Sequence, residues 1–87
     1  MRFKDKVIVI SGAASGIGAK TATLFANEGA TVYALDINPI ENKSKNIIGL
    51  CCNVSSYEQV QQQISYILDK ENQIHHLFCS AGIYYLG

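Results

Sequence analysis

Val7-Ile8-Val9-Ile10-Ser11-Gly12-Ala13-Ala14-Ser15-Gly16-Ile17-Gly18 decides how this chain folds. An apolar, β-branched run ends in a small polar residue, and glycines then recur as G-x-x-x-G-x-G. The run does not alternate apolar with polar, so it reads as a strand buried on both faces. The residues from Gly16 onward read as the first turn of a helix. A strand that turns into a helix through glycines suits a phosphate. Glycine takes positive φ and admits a ligand where a Cβ would block it. The helix start adds N–H groups without intrahelical partners and the positive end of the dipole.

Working outward, the same alternation continues. The first strand is predicted over residues 6–11 and the first helix from 15 or 16 to 28. Ile17, Ala22, Leu24, Phe25 and Ala26 supply that helix's apolar side. Gly29 stands where a glycine closes a helix. Residues 30–36 (A-T-V-Y-A-L-D) read as a second strand ending in an acid. Asn38-Pro39-Ile40-Glu41 fits one helical turn, with Asn38 as N-cap, Pro39 at N1 and Glu41 near N3. Residues 47–52 (I-I-G-L-C-C) read as a third strand.

Ser55-Ser56-Tyr57-Glu58 fits a capping box with Ser55 as N-cap and Glu58 at N3. The helix it opens should reach about Lys70, with Val60, Ile64, Ile67 and Leu68 forming one buried stripe. Residues 74–80 (I-H-H-L-F-C-S) are predicted as the fourth strand, which His75 and His76 lead into. The two histidines are not expected to act as a catalytic pair, because neighbours on a strand point to opposite faces. The order β-α-β-(turn)-β-α-β implies parallel pairing.

Length and composition set limits. At 87 residues the chain can form one small domain, but not the two βαβαβ halves of a complete dinucleotide fold. An apolar share of 48% supports a globular chain. Net charge is zero with no basic block, which argues against nucleic-acid and anionic-membrane partners. No stretch approaches the ~18 apolar residues of a membrane span. The basic residues before Val7 superficially suit a secretory signal, but the short apolar run and the glycine turn read as strand one. Cys51, Cys52 and Cys79 show no C-x-x-C spacing. They are expected to be buried, reduced thiols in a cytoplasmic chain.

Asp36 gives the glycine turn its meaning. In a parallel sheet, the end of the second strand lies beside the end of the first. A carboxylate there accepts both hydroxyl hydrogens of an adenosine ribose and repels a 2′-phosphate. Ile37 and Asn38 follow it, with no adjacent Arg or Lys, so the residues lean to NAD over NADP.

Ser11 to Gly18 resembles the T-G-x-x-x-G-I-G fingerprint of the short-chain dehydrogenase/reductase family. Asp36 matches the acid of its NAD-preferring members. Ser15 stands where NADP-preferring members often carry a basic residue. Asn53-Val54 is similar to the D-V pair that contacts adenine. Ser80-Ala81-Gly82, after Cys79, is similar to the N-N-A-G motif that follows strand four. The resemblance runs through essentially the whole chain. It implies an α/β fold: the N-terminal half of a Rossmann-type parallel sheet, with strand order 3-2-1-4.

The resemblance also implies roles. Gly12, Gly16 and Gly18 would shape the turn, with Ser11 at its start. Ser15 and Ile17 would lie near the cofactor, and Ile37 would flank the adenine ring. Asn53 and Val54 would contact adenine, and Ser80, Ala81 and Gly82 would approach the ribose on the nicotinamide side. Several positions depart from the family. Ser11 replaces threonine, Asn53 replaces aspartate, Cys79-Ser80 replaces two asparagines, and His75 stands where an aspartate is usual. The amide of Asn53 is expected to bond the adenine amino group through its oxygen.

The family's catalytic serine and Y-x-x-x-K motif lie beyond the point where this chain stops. Tyr84 and Tyr85 have no lysine four residues on and read as loop aromatics. The chain is therefore expected to be a partial NAD(P)-binding domain, residues 1–87, without the catalytic half and inactive alone. The reaction would be hydride transfer between nicotinamide and an alcohol or carbonyl of unknown identity. The alternatives are a free-standing nucleotide-binding module and an interaction piece that has lost its ligand. The fourth strand would be a bare apolar edge, so marginal stability or self-association through it is expected.

Overall fold

Two helices and four strands alternate as β1 (Val7–Ser11), α1 (Gly16–Asn27), β2 (Thr31–Asp36), β3 (Ile47–Cys51), α2 (Tyr57–Glu71) and β4 (His76–Cys79). They are seen in a computed structural model that describes residues 3–12, 16–40, 44–53 and 55–79. The strands form one sheet in the order β3-β2-β1-β4, and all three pairings are parallel. This is the expected 3-2-1-4 arrangement. Parallel strands need a crossover between them, and α1 and α2 provide two.

Side-chain alternation along the strands sorts the core into two layers. Ile8, Ile10, Val32 and Ala34 face Ala22 and Ala26 of α1, with Phe3, Phe25, Ile40 and Ile47 packed at the margin. Val7, Val9, Tyr33 and Leu35 share the other face with Ile67 of α2. Every residue of β1 is buried, as expected for a strand covered on both sides. β3 lies at an edge and is only half-buried.

α1 meets the sheet through Gly18, Ala22 and Ala26. These small residues recur every fourth position and present one face. Ile17 and Leu24, expected on the apolar side, are instead 79% and 66% exposed. The glycine-alanine stripe settles which face is buried, because small side chains let the helix backbone approach the strands closely. α1 ends one residue earlier than expected. The N–H of Gly29 donates to Ala26 O and that of Ala30 to Phe25 O, both at 3.1 Å. This pair of bonds is a Schellman motif with Gly29 at C′.

α2 starts at Tyr57, capped by Ser56 rather than Ser55. Ser56 is extended and its Oγ accepts the Gln59 N–H at 3.3 Å. The cap shifts by one residue because Ser55 is already bonded to Asn53. Of the expected stripe, Ile67 is fully buried and Leu68 is exposed, while Val60 and Ile64 pack partly buried against the core. Asn72 closes the helix in the left-handed region, its N–H bonded to Leu68 O.

The expected helical turn at 38–41 does not form over residues 37–40, and Glu41 lies outside the described residues. Asp36 Oδ1 accepts the Asn38 N–H at 2.9 Å, an Asx-turn that takes the bond a cap would need. The chain then brings Ile40 back over β3. A Cβ on Gly49 would stand 3.0 Å from the Ile40 Cβ, so the glycine makes room for that return.

Strand limits also differ at the ends: β1 opens at Val7, β2 at Thr31 and β4 at His76, and β3 closes at Cys51. His75 ties β4 to β1. Its Nδ1 accepts the Val7 N–H at 3.0 Å, and its own N–H donates to Val7 O at 2.8 Å. Cys52 is buried, but Cys51 is exposed, against expectation. No helix among the described residues is long and apolar enough to cross a membrane.

Tyr33 is a feature that pattern reading passes over. It is fully buried in β2, and its hydroxyl donates to Glu71 Oε2 at 2.5 Å. Burial first, and the Glu71 carboxylate second, push its phenol up to about 12 from 10. The raised folded value means that this contribution is complete below pH 10 and is lost as pH rises towards 12. Stability should therefore fall by roughly 2–3 kcal/mol more across that range in the natural chain than in Tyr33→Phe. Urea unfolding of both at about pH 9 and about pH 11.5 checks this; equal losses would refute it.

Candidate functional site

The candidate site follows from the sheet's parallel order. The register sets Ser11 of β1 beside Leu35 of β2 and Asp36 beside Cys51 of β3. The C-terminal ends of three strands thus lie in a row, where open α/β sheets hold ligands. Main-chain bonds lock the row: Gly12 N–H to Leu35 O at 2.8 Å and Cys52 N–H to Asp36 O at 2.9 Å.

Gly12 and Gly16 bracket the turn from β1 to α1 with φ of +68° and +62°. L side chains rarely enter that region, which explains glycine at both. A Cβ built on Gly16 would meet nothing within 4 Å. The space over this helix start is open, as a phosphate requires. α1 carries no acidic residue in its first turn, so nothing there opposes an anion at the dipole's positive end. Ser11 is buried at the end of β1, and Gly18 is buried against the sheet. Ile17 projects outward at the helix start, its side chain largely exposed. Ser15 lies outside the described residues.

Asp36 is half-buried at the end of β2. The bond from Asn38 N–H fixes the direction of its carboxylate. Ile37 follows at 62% exposure, an apolar side chain left in the open beside the row. Its carbonyl lies 3.8 Å from the Cys51 Sγ, which donates to it. Burial, with a smaller effect from Cys51, pushes the Cys52 thiol up and keeps it protonated. Cys52 thus acts as core packing.

Asn53 stands at the far end of the row, half-buried. Its Oδ1 accepts the Ser55 N–H at 3.1 Å and the Ser55 hydroxyl at 2.7 Å. Its own N–H donates to Gln59 Oε1 at 2.8 Å. Ser55 and Gln59 are therefore site residues that sequence reading missed, and the S-S-x-x-Q spacing was their only signal. Val54, Ser80, Ala81 and Gly82 lie outside the described residues. The structure thus brings Ser11, Gly12, Gly16, Asp36, Ile37 and Asn53 to one edge of the sheet.

Comparison with known proteins agrees with this geometry. The sequence pattern of the family described as short chain dehydrogenase matches residues 6–87. The 3-oxoacyl-(acyl-carrier-protein) reductase FabG of Thermotoga maritima is 39% identical, over 95% of this chain and 37% of that protein. Short-chain dehydrogenase reductase 3c of Arabidopsis thaliana is 30% identical, over 95% of this chain and 35% of its own length. The chain thus spans about a third of these relatives.

Among solved structures, ligand-free aldohexose dehydrogenase of Thermoplasma acidophilum superposes with a TM-score of 0.85 at 32% identity, covering 98% of this chain and 32% of that one. Glucose dehydrogenase of Caenorhabditis elegans in its apo form gives 0.80 at 27%, covering 97% and 40%. A family match that takes in all but the first residues leaves one assignment: the chain belongs to the short-chain dehydrogenase family, oxidoreductases that work with a nicotinamide cofactor.

Proposed function

We propose that these 87 residues are the NAD-holding part of a short-chain oxidoreductase that moves hydride between nicotinamide and an alcohol or carbonyl substrate. The observation that carries the reading is the pairing of an open glycine cradle at the start of α1 with a carboxylate on the next strand end. When bound, the cofactor supplies the hydride chemistry. Gly12 and Gly16 leave room for the pyrophosphate, and the α1 N-terminus faces its charge. Asp36 accepts from the ribose hydroxyls, which favours NAD and disfavours a 2′-phosphate. Ile37 flanks the base, and the family resemblance assigns Ser80, Ala81 and Gly82 to the nicotinamide ribose. The same reading places the protein in the cytoplasm. It makes the β4 edge, where Phe78 is exposed, the place for self-association.

Calorimetric titration tests the cofactor. NAD should bind more tightly than NADP, and Asp36→Ala should narrow the ratio about tenfold. Tighter NADP binding, no binding of either, or an unmoved ratio in the variant would overturn the assignment.

A further inference from the structure

The ring of His75 is used in only one of its states. A main-chain N–H only donates, so the ring nitrogen that faces the Val7 N–H at 3.0 Å carries a lone pair and no hydrogen. That nitrogen is Nδ1, so the neutral ring holds its hydrogen on Nε2. The main-chain N–H of His75 also donates to Val7 O, at 2.8 Å. One residue thus clasps both main-chain polar groups of Val7. The clasp sits at the entry to β4, and β1 is the one strand paired with β4 among the described residues. His75 is half-buried and lines a groove with Ile64 and Leu68 of α2 and with Ile74 and Leu77. Among the described residues no carboxylate, Lys or Arg lines that groove. His76, the other titratable group there, turns its ring to Phe3 and Phe78. On α2, Glu71 is bonded to the Tyr33 hydroxyl, Lys70 to the Tyr66 hydroxyl, and Asp69 is exposed. Ahead of β1, Lys4, Asp5 and Lys6 are exposed as well.

We propose that His75 is a pH-sensitive latch between β4 and β1, closed while its ring is neutral and released when the ring takes up a proton. Protonation puts a hydrogen on Nδ1, and two donors then face each other where the bond was. The Val7 N–H loses its acceptor. The ring turns out through the groove to water, and no carboxylate in the groove offsets the loss. The closed form has no place for a proton on Nδ1, whereas the released form does. Release therefore takes up one proton. The stability that the clasp adds is present at high pH and is lost as pH falls through the range in which histidine side chains titrate, about pH 8 to 5. β1 is also the strand that runs into the Gly12 turn, so the latch ties the strand beneath the candidate site to β4.

Amide hydrogen exchange, followed by NMR on the protein from its complete reading frame, tests the latch. The internal reference is Val32, whose N–H donates to Asn46 O and meets no titratable side chain in that bond. Between about pH 8 and about pH 5 the protection factor of Val7 should fall about tenfold more than that of Val32, the loss of one hydrogen bond. His75→Gln cannot take up the proton and should remove the difference, whereas His76→Gln should keep it. The ring nitrogen shifts of the natural protein at about pH 8 should show His75 with its hydrogen on Nε2, a readout that survives if the glutamine variant fails to fold. Equal losses at Val7 and Val32 in the natural protein overturn the inference. So does a difference that persists in His75→Gln or vanishes in His76→Gln, and so does a hydrogen on Nδ1 at about pH 8.

Discussion

Gly16→Ala should reduce dinucleotide affinity at least ~100-fold while costing the fold only about 1–2 kcal/mol. The two effects separate because of what surrounds the residue. Its φ is +62°, so any side chain there carries the left-handed penalty. The added methyl, however, meets no protein atom within 4 Å. Apart from its own backbone and chain neighbours it clashes with nothing, and it fills the space proposed for the pyrophosphate. Titration with NAD, paired with urea unfolding of the same variant, checks both halves. Unchanged affinity would move the phosphate away from this turn. A loss of several kcal/mol in stability would mean that the turn is a packing element first.

Ile67→Ala has the largest effect expected on stability, about 2–5 kcal/mol, because a buried isoleucine loses its transfer energy and leaves a cavity. Ile67 is fully buried and packs with Val7, Val9, Tyr33, Leu35 and Cys52 under α2. Small domains have margins of about 5–15 kcal/mol, so one such truncation removes a large part of the total. Leu24→Ala is the control. Leu24 is also an apolar helix residue, but it is 66% exposed, and its truncation should stay within about 0.5 kcal/mol. Chemical unfolding of the pair decides the matter. Equal losses would mean that the outer face of α1 is covered in solution.

The contrast between these residues shows what could be read from the chain alone. The alternation of strands and helices was legible because β1 and β2 are continuous apolar runs and Gly29 closes α1. Strand order came with the family resemblance, because parallel pairing across two helical connections leaves more than one order open. The faces of α1 were not legible from apolar content. Ile17 and Leu24 outweigh Gly18, Ala22 and Ala26 in hydrophobicity, yet close approach to the sheet favours the small residues.

Adjacent serines made the α2 cap ambiguous, since Ser55 and Ser56 both have an acidic or amide residue three positions on. A competing local bond settled it: Asn53 claims Ser55, and Ser56 is left to cap. The Asn38-Pro39 pair suits a helix start and a turn equally, and the Asp36 carboxylate selected the turn. Of the candidate site, Gly12, Gly16, Asp36, Ile37 and Asn53 were legible as residue types at strand ends. The bonds that the Asn53 oxygen accepts from Ser55 were not, because they depend on the shape of the β3–α2 connection.

The tie between His75 and Val7 spans 68 positions of sequence, whereas β1 to β2 and β2 to β3 are joined by short connections. Closing the longer loop costs only about 1 kcal/mol more in chain entropy, but that difference acts before any of the new contacts form. The three strands whose ends form the proposed phosphate, ribose and base row can therefore meet early, with β4 docking onto them last. Folding then has a direction across the sheet: β1, β2 and β3 assemble first, and β4 completes the layer.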